Sequence, residues 1–265
     1  MRSLGILALL CVAVVNAAGC GGSSHETVKP EAMLDAAVAH PIKSAQTDID
    51  LRLQVRDPRY TGPLALRLTG PYVSGEGRQI PKLDWRMNAS ALGFPVGGHV
   101  VSTGTNVYLT VYGSQYQVGT AAVAAVNERL AEAPAVHPRS WFGRPRVDGQ
   151  GHEGGEDCER ITAPLRGDEV ARDLEPLLAG LGLSQETPSV SGRASVCVGF
   201  DDRTLHGLQV GAVLSGPTSA AIDLDAEFSD VGQPQSIATP AGGGYRPIRD
   251  LALTLNDLGV SIPLG

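Results

Sequence analysis

From Asp48 to Arg56 the chain alternates strictly. Ile49, Leu51, Leu53 and Val55 are apolar, while Asp50, Arg52, Gln54 and Arg56 between them are polar or charged. Period two sends successive side chains to opposite faces of a strand, one packed and one wet. The phrase D-P-R-Y-T-G-P turns the chain into a second strand bearing Leu64, Leu66 and Leu68, and Leu83, Trp85, Met87 and Ala89 mark a third. Val100–Ser102 predicts a fourth. Val107–Tyr112 follows the turn T-G-T-N, and Gln115–Val118 follows Gly113-Ser114. Residues 46–118 therefore read as a meander of antiparallel strands.

The period changes on either side of the meander. Upstream, Pro30 opens P-E-A-M-L-D-A-A-V-A-H, a short helical pattern with proline in the first turn and Met33, Ala37 and Val38 on one side. Downstream, Thr120 can cap A-A-V-A-A-V-N-E-R-L-A-E, which sets Val123, Val126 and Leu130 at helical spacing before Pro134 ends it. The stretch from Pro134 to Asp157 is rich in Pro, Gly and charge and reads as a long loop. A short strand follows at Glu159–Leu165. An amphipathic helix is expected at Asp168–Leu181, with Leu174, Leu177, Leu178 and Leu181 turned inward.

Strands resume at Ala194–Phe200, Leu205–Leu214 and Ala220–Phe228, the first two joined by a hairpin turn in F-D-D-R-T. In the last, Ile222, Leu224, Ala226 and Phe228 alternate with Asp223, Asp225, Glu227 and Ser229. Val231–Ala238 reads as a connecting edge and Ile248–Leu258 as a terminal helix. The second half could not stand alone, so its strands extend the first sheet. A sheet of about nine to eleven strands must curl to be stable, and its apolar face needs covering. The predicted fold is α+β: a large curled antiparallel sheet, a half-barrel, with helices covering its concave face. It forms one domain over residues 30–265.

The first residues follow different rules. Arg2 is the only charge before Leu4–Val15 (LGILALLCVAVV), an apolar run suited to a signal-peptide core and shorter than the roughly twenty residues a spanning helix needs. Ala17-Ala18-Gly19 supplies small residues, Cys20 follows at once, and residues 21–29 (GGSSHETVK) form a flexible tether. Residues 1–19 are read as a lipoprotein signal peptide with a lipobox. Cys20 is the lipid attachment site, and residues 20–29 are the tether. Ala17 departs from the commoner Leu at its position. An ordinary secretory signal is the alternative; both readings put the mature chain outside the cytoplasmic membrane.

That assignment changes the cysteine count. Of four cysteines, Cys11 leaves with the signal and Cys20 takes lipid, so Cys158 and Cys197 remain. An even remainder in an oxidising compartment reads as one disulfide, with two separate buried thiols as the alternative. Neither has further ligands at zinc-site spacing, so no metal is assigned.

Composition narrows the function further. The chain of 265 residues is 42% hydrophobic and 18% charged, and the scarce aromatics, 5%, imply a core of Leu, Val, Ile and Ala. A net charge of −7 and a pI near 5.3 argue against nucleic acid. No G-x-S-x-G, S-x-x-K or H-E-x-x-H occurs. His25, His40, His99, His137, His152 and His206 are scattered, none with an acid or nucleophile at a meaningful spacing. The acidic run Glu153, Glu156, Asp157 and Glu159 reads as a solvated loop in preference to a calcium site. No catalytic residue and no cofactor is assigned, and the chain is read as no enzyme.

The order of elements, with the phrases L-R-L-T-G-P-Y, V-S-T-G-T-N-V-Y-L-T-V-Y-G-S-Q-Y-Q-V and F-S-D-V-G-Q-P-Q-S-I-A-T-P-A, resembles the actinobacterial LppX/LprAFG lipoproteins and the wider LolA-like envelope lipid carriers. The resemblance covers about residues 31–245 and implies a half-barrel around helices with an apolar cavity for acyl chains. The expected function is to bind or carry a lipid or lipoglycan while held at the cell membrane by a diacylglyceryl anchor, with an envelope transporter as possible partner. Leu51, Leu53, Leu66, Leu68, Trp85, Met87 and Leu109 are the candidate cavity residues. The alternative is a non-enzymatic envelope lipoprotein with a filled core that serves a partner complex.

Overall fold

The computed structural model describes residues 29–57, 60–77, 79–91, 94–132, 136–180, 189–215 and 219–251. Cys20, the signal and most of the tether lie outside these residues. Helix α1 (Pro30–Ala39) precedes a meander of β1 (Ser44–Asp57), β2 (Tyr60–Val73), β3 (Lys82–Ala91), β4 (Phe94–Thr103), β5 (Val107–Val111) and β6 (Ser114–Gln117). Helix α2 (Thr120–Glu132) and a 3-10 turn (Pro138–Trp141) lead to β7 (Arg146–Glu153) and β8 (Glu156–Pro164). After α3 (Gly167–Gly180) come β9 (Ser189–Gly199), β10 (Leu205–Ser215), β11 (Ser219–Ser229) and the two-residue β12 (Arg246–Pro247).

The twelve strands of the described residues join one open sheet in the order β12-β6-β5-β4-β3-β2-β1-β11-β10-β9-β8-β7. The two halves of the chain meet where β1 pairs with β11, so the second half does extend the first sheet. Every pairing is antiparallel except that of β12 with β6. The sheet is strongly curled. The β7–β8 turn comes back against β11, so closely that a Cβ on Gly154 would lie 2.1 Å from the Phe228 carbonyl oxygen.

Register aligns one apolar face across the strands. Ile49 stands opposite Leu68 and Ala226, Leu51 opposite Leu66 and Leu224, and Leu53 opposite Leu64 and Ile222. On this inner face Met33, Leu34 and Ala37 of α1 join the core formed by β1, β2, β3 and β8–β11. The outer face carries the charges: Arg67 grips Asp48 through two bonds, of 3.0 and 2.6 Å, and Arg52 pairs with Asp50.

Two sequence readings change. The expected loop from Pro134 to Asp157 contains the 3-10 turn and strand β7. The strand R-V-D-G-Q-G-H-E escapes an alternation search because it is an edge: it pairs only with β8, and most of its side chains face water. Val231–Ala238 forms no strand; it is held at points such as the Gly232 N–H bond to the Ser44 carbonyl and the Gln46–Gln235 bond. The expected terminal helix is helical over residues 248–251, and residues 252–258 lie outside the described residues. The side chains of Leu174, Leu177 and Leu178, and all of Leu181, are likewise outside the description.

Candidate functional site

All seven candidate cavity residues occupy inner-face positions. Leu51 pairs with Leu66, Leu68 with Met87, and Trp85 with Val100, which in turn pairs with Leu109. Their burial divides them. Leu51, Leu53, Leu68 and Trp85 are buried in the main core. Leu66, Met87 and Leu109 are only half-buried, as are Leu64 and Val100 beside them. The apolar face is thus packed over β1 and β11 and partly open over β2–β5.

Glycine shapes this strip at two points. At Gly98 on β4 a Cβ would lie 2.8 Å from the Met87 Cε and 2.9 Å from the Thr110 carbonyl oxygen, so the bare backbone lets Met87 lie across it. Gly70 on β2 has φ +144°, and a Cβ there would lie 2.1 Å from the Asp84 carbonyl oxygen. Only glycine lets β2 approach β3 so closely beside Trp85. The Thr47 hydroxyl donates to the Gly70 carbonyl at 2.8 Å and fixes it in place.

Few polar groups reach this face. Tyr72 is almost fully buried, and burial pushes its phenol above the ordinary value, so it stays neutral. The Trp85 indole N–H is buried with no hydrogen-bond partner. By contrast, the Trp141 indole donates to Asp173 at 2.9 Å. Helix α2 buries only Val123 and is held chiefly through Asn127, whose side chain accepts from the Ile80 N–H (2.8 Å) and donates to the Gly104 carbonyl (3.2 Å). Asn127 therefore ties α2 to the β2–β3 and β4–β5 connections.

A separate cleft of about 540 Å³ opens where β1 begins and β2 ends. It is lined by Pro41, Lys43, Ser44, Val73, Ser74, Gly75, Gly77, Pro234 and Gln235. None of the seven candidate residues lines it.

Four of the histidines each lie beside an acid, contrary to the sequence reading. His99 meets Asp84, His152 meets Asp157, His137 lies 4.0 Å from Asp173, and His206 lies 2.9 Å from Asp202. His206 also lies 3.1 Å from the Thr204 hydroxyl, but acid and hydroxyl share its Nε2. Activating a nucleophile needs the two on opposite ring nitrogens. The acidic run is spent on a hairpin: Glu153 binds Arg160 and Asp157 binds His152. Among the described residues no group of three or more His, Cys, Asp or Glu is placed to hold a metal ion, and no helix is long and apolar enough to cross a membrane.

No protein-family model and no curated protein matches the sequence. The structure is similar to that of LprF from Mycobacterium bovis, with 14% identity, TM-score 0.42, and 80% of this chain and 97% of that one covered. It is also similar to the Mycobacterium tuberculosis lipoprotein LppX, with 12% identity, TM-score 0.41, and 74% and 90% covered. The lipoproteins named by the sequence resemblance are thus among the structural neighbours.

Sequence parity alone found the inner-face strip on β1–β3. It missed Leu64 and Val100, although both continue the same alternation, and it missed the glycine at position 98, which only the β3–β4 register exposes.

Proposed function

We propose that this chain is a membrane-tethered envelope lipoprotein of the LppX/LprAFG type that shelters an acyl lipid or lipoglycan against the inner face of its sheet. One observation carries this reading: on the inner face of β2–β5 the apolar Leu64, Leu66, Met87, Val100 and Leu109 stay half-buried, while the same face over β1 and β11 is packed. Natural interiors hold few voids, so an apolar face left part-open is suited to a mobile apolar occupant. Each methylene taken from water contributes about 0.8 kcal/mol, so one long acyl chain gives useful affinity. The lipobox with Cys20 supplies the anchor, and the Gly/Ser tether holds the sheet close to the membrane. An envelope transporter would load or unload the cargo.

The reading is tested in two arms. Cys20→Ser should release the protein from membranes and abolish palmitate labelling, while uptake of a fluorescent acyl probe persists. A variant that stays membrane-bound overturns the anchor. Absence of probe uptake by either form overturns the carrier and favours a filled core.

A further inference from the structure

Trp85 carries a hydrogen-bond donor into an apolar place. Its ring lies on the inner face of β3, 7% exposed, and its Nε1 has no partner. Buried indole N–H groups normally find an acceptor, and an orphan calls for an explanation. Leu68, Met87, Val100 and Leu109 at inner-face positions around it offer no acceptor better than a thioether, and the diagonal hydroxyls of Tyr72 and Ser102 make no bond to it. The β2–β3 pairing is interrupted beside it, at Gly70-Pro71 and Asp84-Trp85, and the Gly70 carbonyl there accepts from the Thr47 hydroxyl.

We infer that the Trp85 Nε1–H is the binding donor for a carbonyl oxygen of the cargo, so that the chain selects an acyl ester over a plain hydrocarbon or an ether lipid. The inference rests on the carrier reading and adds the chemical class of the ligand. An ester carbonyl fits because it brings one strong acceptor on an otherwise apolar chain. It would satisfy the indole while its methylenes cover Met87 and Leu109. The donor is unmet in the free protein, and an ester carbonyl is a stronger acceptor than an ether oxygen, so the ester gains the better bond.

The chain has two tryptophans, which makes the test specific. The protein from residue 20 onward, carrying Cys20→Ser, is labelled with 15N at the indoles and titrated with dipalmitoylglycerol or with its dialkyl ether analogue of equal chain length. The ester should bind about tenfold more tightly, and its binding should move the Trp85 indole N–H signal downfield. The signal of Trp141, already bonded to Asp173, should stay in place. Trp85→Phe should abolish the ester preference, so that the two lipids bind alike. Equal binding of both lipids with an unmoved Trp85 signal overturns the inference and leaves the carrier reading standing. Failure of both lipids to bind overturns the carrier reading and this inference with it. The wild-type comparison needs no variant, so poor folding of Trp85→Phe would not rescue the idea.

Discussion

Cys158 on β8 and Cys197 on β9 are bonded although they are not register partners: Cys158 stands opposite Gly199 and Cys197 opposite Arg160. Their Cα atoms are 5.4 Å apart, and both residues are buried. Glycines crowd the bond. A Cβ on Gly151 would touch the Cys158 sulfur at 3.2 Å, and one on Gly207 would fall on the Glu153 carboxylate. The bond pins strands that flank α3 in sequence, with a separation of 39 residues. Replacing both cysteines by alanine should therefore lower stability by about 3–4 kcal/mol in the chain-entropy account. A denaturant titration should show a lower midpoint in the double variant, and reductant should affect only the parent protein.

The Asp202–His206 pair predicts a pH dependence. Burial, the largest single influence on each, disfavours either charge, but their mutual hydrogen bond and charge attraction outweigh it together with the neighbouring groups. Thr204 further favours the Asp202 carboxylate, and the nearby Phe228 carbonyl and Glu156 favour the imidazolium. The imidazole is held above its ordinary value and the carboxyl below the usual carboxylate range. A raised histidine contributes stability that is full below about pH 6.5 and is lost as pH rises through its folded value; a depressed aspartate contributes above about pH 4 and is lost on acidification. Stability from this pair should thus be greatest between about pH 4 and pH 6.5. Thermal melts of the wild type should fall from about pH 6 to pH 9, and His206→Gln should flatten that limb.

Much of this arrangement was legible in the sequence. Strands β1 and β11 announce themselves because each is packed on one face and wet on the other, as Leu51 beside Arg52 and Leu224 beside Asp225 illustrate. Strand β7 does not, since an edge with charged and glycine positions lacks alternation; its readable signal was Gly154-Gly155, a two-residue turn with both φ values positive. His206 and Asp202 looked unrelated because a turn joins them, although the F-D-D-R-T turn itself was readable. Which inner-face leucines stay part-open depends on where α1 settles, and the unmet Trp85 N–H depends on all its neighbours at once. No periodicity encodes either.

Asn127 is the chief attachment of α2, so its loss should act locally. Asn127→Ala leaves the Ile80 N–H and the Gly104 carbonyl without their partner. A stability loss of about 1–2 kcal/mol is expected. Hydrogen exchange should accelerate at Ile80 and along α2, while β1 and β11 keep their protection.

The half-covered strip should tolerate polarity better than the core does, at the expense of binding. Met87→Gln combined with Leu109→Asn places two amides where the acyl chain would lie. Each desolvated amide costs about 1–3 kcal/mol against an apolar ligand, so probe affinity should fall tenfold or more. Because both sites are half-buried, the melting temperature should drop less than for Leu51→Ala, which empties a packed position.

The most direct test is to weigh what the protein holds. The chain from residue 20 onward, with Cys20→Ser, is purified without detergent and its native mass compared with the mass after organic extraction, the extract being analysed by lipid mass spectrometry. A carrier should show a reproducible excess mass matching one acyl-ester lipid in the extract, and the stripped protein should take up an acylated probe. A clean ligand-free mass with no uptake would contradict the account and leave an envelope lipoprotein with a filled core.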